Sequence, residues 1–281
     1  MKKNKLISLA FILILMVGLF AACGQPKEEL SSLEKIKEND VIRIGVFGDK
    51  PPFGYIDENG ENQGYDIYLA KRIAKDLLGD ESKIQFVITE AANRVEYLQS
   101  GKVDLILANF TVTPERKEAV DFTNPYMKVS LGVVSPDGSV ITDVEQLEGK
   151  KLIVNKGTTA EMYFTQNHPD IELIKYDQNT EAFNALKDGR GDALAHDNTL
   201  IFAWVVQNEG FTTGITELGN QDYIAPAVQK GDTELLDWVN NELKKLGEEN
   251  FMHANYEATL KPVYGDSVDP ESVVVEGGVV K

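Results

Sequence analysis

Three short segments carry residue types that could recognise a small molecule bearing both signs of charge. The first is Asn109-Phe110-Thr111-Val112-Thr113-Pro114-Glu115-Arg116. It reads as a buried strand running into a helix start, with Thr113 as N-cap, Pro114 at the first helical position and Glu115 at the positive dipole end. Arg116 then falls in the first turn. A guanidinium there can grip a carboxylate bidentately, each charge-assisted bond contributing about 1.5–3 kcal/mol, while Thr111 and free backbone N–H groups add donors. The second segment is Asn155-Lys156-Gly157-Thr158-Thr159, again a strand, a Gly turn, hydroxyl residues and a helix start. It lacks the spacing of a nucleotide loop, so a carboxylate fits it better than a triphosphate. The third is Ala195-His196-Asp197-Asn198, an acid after an apolar strand, where it can take an ammonium group. The same residues also fit plainer roles: a capped helix with a surface arginine at Arg116, and an N-cap at Asp197 for the apolar run 200–206. Held together, the three segments suit a zwitterion, in particular the α-amino and α-carboxyl groups of an amino acid.

Positioning them requires alternating strands and helices. Strands are expected at 41–46, 83–89, 103–109, 151–155, 172–176 and 192–196, and helices at 65–78, 93–100, 159–166 and 180–187. Such alternation gives α/β layers with largely parallel sheets. An internal echo points to two similar halves. Val95, Leu98, Gly101, Lys102, Asp104 and Asn109 match Phe183, Leu186, Gly189, Arg190, Asp192 and Asp197 at a constant offset. If the echo is structural, the two strand ends at Asn109 and Asp197 face each other across a cleft, where open α/β sheets bind ligands.

The 281 residues carry a formal net charge of −17. That excess of acid argues against nucleic acid as a partner, since phosphate binding needs clustered Lys and Arg. A single cysteine, Cys23, can neither close an internal disulfide nor build a Cys-rich zinc site. It sits after Lys2, Lys3 and Lys5 and an uncharged run over 6–22, ending Leu19-Phe20-Ala21-Ala22. A charged start, an apolar stretch and small residues before a lone cysteine resemble a bacterial lipoprotein leader, cleaved before a lipid-bearing Cys23. Residues 1–22 are then a signal peptide and 23–39 a tether ending in a short helix. The tail 263–281, rich in Pro and Gly, reads as loosely structured, with Val273-Val274-Val275 able to form an edge strand.

Taken with further stretches, the three segments resemble the family 3 extracellular solute-binding proteins, the polar amino acid class of ABC importers. The matching stretches are Val41-Ile42-Arg43-Ile44-Gly45-Val46, Pro51-Pro52-Phe53-Gly54-Tyr55, Gly64-Tyr65-Asp66-Ile67, Gly101-Lys102-Val103-Asp104 and Asp121-Phe122-Thr123-Asn124-Pro125-Tyr126. Within the family, Phe47-Gly48-Asp49-Lys50-Pro51-Pro52-Phe53-Gly54 and Glu90-Ala91-Ala92-Asn93-Arg94-Val95-Glu96 are most similar to bacterial cysteine-binding lipoproteins.

The resemblance implies a two-lobed periplasmic-binding-protein fold of type II, an α/β fold with two crossing hinge strands. Lobe 1 would be 40–130 plus 226–262, and lobe 2 131–225. Arg116 would clamp the ligand's α-carboxylate with Thr111, Thr158 or Thr159 near Gly157. Asp197 would take the α-ammonium, helped by the backbone of Asn109. Phe53, with Tyr55 nearby, would pack over the ligand side chain, and Arg94 would reach its far end. The implied partners are an amino acid, with cysteine first and aspartate or glutamate as the alternative, an ABC permease, and a membrane reached through the lipid anchor. No cofactor, metal or catalysis is implied, and a monomer is expected. The rival of another class is a dehydratase-like enzyme on the same fold, using His196 and Glu161 as acid and base. A sensor input domain is disfavoured, because no signalling domain follows the binding module.

Overall fold

The computed structural model describes residues 30–280. The leader, Cys23 and the first part of the tether lie outside the described residues. The rest of the tether forms the short helix α1 (Ser32–Asn39). There follow β1 (Ile42–Val46), β2 (Asp49–Lys50), β3 (Gly54–Ile56), β4 (Asn62–Gln63), α2 (Tyr65–Leu78), β5 (Ile84–Ile88), α3 (Arg94–Gln99), β6 (Leu105–Ile106), α4 (Pro114–Ala119) and β7 (Val120–Phe122). The chain then crosses into a second layer system through β8 (Met127–Pro136). That system holds β9 (Lys151–Asn155), α5 (Thr159–Asn167), β10 (Glu172–Tyr176), α6 (Asn179–Lys187), β11 (Ala193–Asp197) and α7 (Asn198–Gln207). The chain returns along β12 (Phe211–Ile224) to β13 (Ala227–Gln229), α8 (Thr233–Glu248), α9 (Phe251–Thr259), α10 (Lys261–Tyr264) and α11 (Pro270–Val273).

The local reasons are those the sequence offers. In α2, Ile67, Ala70, Ile73 and Ala74 recur at helical spacing and are all buried. The strands β1, β9 and β11 are near-continuous apolar runs because helices cover both faces of their sheets.

Two five-stranded sheets result, ordered β5-β1-β6-β13-β7 and β10-β9-β11-β8-β12. In each, the first three strands run parallel and the last two pairings are antiparallel. The sheets are therefore mixed rather than largely parallel. The antiparallel pairs arise because the chain passes between the halves on β8 and β12, which pair with each other from Met127–Ile224 onward.

The internal echo is structural. β6 and β11 occupy the same third place in their sheets. The Asp104 carboxylate accepts the Arg43 backbone N–H at 2.8 Å, and the Asp192 carboxylate accepts that of Lys151 at 2.7 Å. The returning bonds match as well, from Asp104 N–H to the Arg43 carbonyl and from Asp192 N–H to the Lys151 carbonyl, both 2.8 Å.

The C-terminal segment is more ordered than its Pro and Gly content suggests. Val273, Val274 and Val275 are buried. Val274 forms an isolated bridge with Met127, and the Val275 N–H donates to the Tyr126 carbonyl. Three adjacent apolar side chains gain more from that shelf beside the crossing strand than the chain loses in freedom.

Candidate functional site

Arg116 is delivered as its sequence suggests. The Thr113 hydroxyl accepts the Arg116 backbone N–H at 3.2 Å and caps α4, an interaction that stabilises a helix by about 1 kcal/mol. The side chain turns inward rather than out to water. Its Nη1 donates to the Thr111 carbonyl at 2.6 Å and its Nη2 to the Gly157 carbonyl at 2.8 Å, across from the first sheet to the second. Burial pushes its guanidinium down to about 10, against the pull of Asp197.

Arg94 lies beside it. Both guanidinium groups stack on the Phe110 ring, at 4.3 Å and 4.8 Å. Arg94 donates to the carbonyls of Ala91, Ala108, Asn109 and Gly157, at 3.0 to 3.2 Å. Burial and the charge of Arg116 hold it well below the ordinary arginine range. Four of its five N–H donors tie backbone carbonyls of the two lobes together.

Asp197 ends β11 at the start of α7, yet its side chain makes no cap there. It instead accepts the Lys50 Nζ at 2.8 Å, with side chains 2% and 5% exposed. Burial would raise the Asp197 carboxyl, but Lys50 and His196 outweigh it and hold the group far below the usual range. Burial in turn lowers Lys50, with Asp197 opposing. His196 accepts the Asp197 backbone N–H on Nδ1 at 2.7 Å, and burial with nearby Lys50 keeps the ring below its ordinary value. Its Nε2 meets no partner among the described residues.

These groups converge. Phe47, Lys50, Arg94, Thr111, Arg116 and Asp197 enclose one cavity, with Asn109, Thr158, Thr159 and His196 completing the wall. The cavity measures about 10 Å³, room for roughly one water, so the two lobes are closed on each other and a ligand enters as they part. Asn109 stands at φ 46, its N–H held by the Asp66 carboxylate at 2.9 Å. Regular strand pairing stops earlier than expected, at Ile106, because that conformation turns the chain out of the sheet. The Asn109 amide is buried with neither end partnered among the described residues.

The other named residues take supporting places. Thr158 caps α5, accepting the Glu161 N–H and donating to the Asn155 carbonyl. Glu161, the acid/base candidate, accepts the Gly157 N–H at 2.7 Å and pairs with Lys175 at 2.9 Å. Phe53 is fully buried beside the site, its ring 5.9 Å from Lys50 Nζ, but does not line the cavity. Tyr55 pairs with Asp49 and Gln63 in the small sheet and also stays off the cavity wall. The aromatic face is supplied by Phe47, which sequence reading did not single out. Lys50 was missed as well; a lysine between Phe47 and Phe53 in a Gly- and Pro-rich turn was the available signal.

Two α/β lobes crossing on paired strands and closing over a cavity with both signs of charge define a two-lobed binding protein of the type II periplasmic fold. The chain belongs to the bacterial extracellular solute-binding proteins, family 3, whose model matches residues 42–260. It is 35% identical to the ABC transporter glutamine-binding protein GlnH of Bacillus subtilis, over 92% of this chain and 98% of that one. Two solved structures are more similar. A cysteine-binding protein from Campylobacter jejuni is 65% identical with a TM-score of 0.87, and a solute receptor for L-cysteine of Neisseria gonorrhoeae is 61% identical with a TM-score of 0.86. Each match covers 88% of this chain and all of the solved one.

Proposed function

We propose that this chain is the substrate-binding component of an ABC amino acid importer and that its ligand is L-cysteine. The observation that carries this is the placement of Arg116 and Asp197 on opposite walls of one closed cavity. A carboxylate set against Arg116 and Thr111, with an ammonium against Asp197, would contact both lobes only in the closed form. Binding energy then shifts the hinge equilibrium toward closure, and the importer reads the closed shape. Phe47 and Lys50 wall the cavity beside these two groups, where a ligand side chain would lie, and the two cysteine-binding relatives support cysteine as the ligand. In this reading lobe 1 is 40–130 plus 226–262 and lobe 2 is 131–225. No reaction is assigned: Glu161 is tied to a helix start, and His196 is buried against the Asp197 backbone.

The panel of twenty amino acids tests it. The full chain, kept with a non-thiol reductant, should show its largest thermal stabilisation with cysteine. Ligand at a hundred times its Kd stabilises by about 2.7 kcal/mol. No shift with any of the twenty would sink the reading, and a clear preference for aspartate or glutamate would move the ligand to the acidic class.

The leader and Cys23 support a lipid anchor on the outer side of the cell membrane, with an ABC permease as partner and the chain acting as a monomer. Metabolic labelling with a fatty acid should mark the parent chain and leave Cys23→Ser unlabelled. Equal labelling of the variant would remove Cys23 as the lipid site from the proposal.

A further inference from the structure

The charges around the cavity do not balance, and a neutral amino acid would not balance them. Lys50, Arg94 and Arg116 line the wall against one carboxylate, Asp197. His196, on the same strand as Asp197, has its charged form disfavoured by burial. Behind the wall, Asp66 of α2 takes the Tyr126 hydroxyl at 2.7 Å and the Asn109 N–H, and burial pushes its carboxyl up to about 7. At neutral pH it therefore supplies only part of a negative charge. Asp222, on the crossing strand, is half-buried and stands outside the cavity lining. Asp49, next to Lys50, is turned outward onto Asn179 and Thr180 of α6. A zwitterion brings one charge of each sign and leaves the surplus of cation unchanged.

The surplus has a location. Arg116 is the carboxylate clamp, and Arg94 has four of its five donors on backbone carbonyls. Lys50 has three donors and uses one among the described residues, on Asp197. A ligand ammonium placed on Asp197 lies next to the Lys50 Nζ. In cysteine the Sγ is three bonds from that ammonium nitrogen, so the sulfur comes within reach of the same Nζ.

We propose that Lys50 selects cysteine by binding it as the thiolate. This rests on the cysteine reading given above. The free thiol ionises near pH 8.5, so at pH 7 nearly all cysteine arrives protonated. On closure the S–H proton leaves to solvent, the sulfur stays on the ligand as an anion paired with the Lys50 ammonium, and no covalent bond to the protein forms. Serine has the same shape but no acid in range, so it cannot supply the missing charge.

Calorimetry of the full chain in two buffers of different protonation enthalpy, at pH 7 with a non-thiol reductant, tests this directly. Serine titration measures the proton exchange of the protein itself, Asp66 included. Cysteine should release close to one proton per site beyond the serine value. Its affinity should rise about tenfold per pH unit from pH 6 to 8, below the thiol pKa. Lys50→Met should lower the cysteine-to-serine affinity ratio at least tenfold and abolish most of the extra proton release, whereas Lys50→Arg should keep both. Cysteine binding with the serine proton count, or with affinity flat from pH 6 to 8, would overturn the thiolate while leaving the cysteine reading intact. Failure of cysteine to bind while another amino acid does would overturn both.

Discussion

Arg116→Ala should weaken cysteine binding by about a thousandfold or more, close to the loss of all measurable binding. The side chain is 7% exposed and faces Asp197 across the cavity. Removing one member of a buried, hydrogen-bonded charge pair costs 2–5 kcal/mol or more, and about 4 kcal/mol is a thousandfold. The loss should fall on every amino acid alike, because each would present the same α-carboxylate. Arg116→Lys separates charge from geometry. A lysine restores the positive charge but cannot place two parallel N–H bonds on a carboxylate, so it should recover only part of the affinity. The unliganded fold should suffer less than the binding. The variant gives up bonds to the Thr111 and Gly157 carbonyls, yet it also relieves the repulsion that Arg116 exerts on Arg94. Calorimetry and the unliganded melting temperature check both halves. Cysteine affinity within threefold of the parent chain would show that the carboxylate lies elsewhere.

Arg116 could be found in the sequence because everything that places it is local. Thr113, Pro114 and Glu115 announce a helix start within four residues, and a buried strand immediately before them fixes which end of a sheet it occupies. Asp197 was legible for the same reason, as an acid at the end of an apolar strand, and the repeat of Gly, basic residue and Asp in both halves tied the two strand ends to one cleft. Lys50 was not legible. Its two-residue strand sits in a run of Gly, Asp and Pro that reads as a surface turn. Its burial is created by Asp197, distant in sequence, so no local pattern can signal it. Arg94 stood out as a basic residue near the site, but its use as a tie between backbone carbonyls depends on how closely two lobes approach. The mixed character of the sheets was likewise hidden, because crossing strands and buried parallel strands share the same apolar composition. The C-terminal segment was misread for the opposite reason: Pro and Gly spoke for looseness locally, while a shelf beside β8 was waiting for its three valines.

The approach of the lobes itself rests on a residue with no side chain. Gly157 stands at φ +72 in the turn before α5, and its carbonyl accepts from both Arg94 and Arg116. A Cβ added there would lie 2.5 Å from the Ala92 Cα and 2.7 Å from the Ala92 nitrogen. Those atoms are backbone of the opposite lobe and cannot swing aside as a flexible side chain could. Gly157→Ala therefore imposes two separate costs. The left-handed backbone costs about 1–2 kcal/mol for any residue with a Cβ, and it applies whether the lobes are open or closed. The clash with Ala92 exists only in the closed form and shifts the hinge equilibrium toward the open one. Because ligand is held from both sides only on closure, apparent affinity falls by the lost population of the closed state. Cysteine affinity should drop at least a hundredfold although Gly157 contributes no side chain to the cavity. The melting temperature without ligand should fall only by the smaller backbone term. Small-angle scattering with cysteine present should show the parent chain compact and the variant more expanded. A variant that is equally compact and binds within threefold of the parent would mean that the Gly157–Ala92 approach is not where the lobes meet. A variant that is more expanded, with Arg116 and Asp197 untouched, would show that capture depends on the fit of backbone to backbone as much as on the charges it brings together.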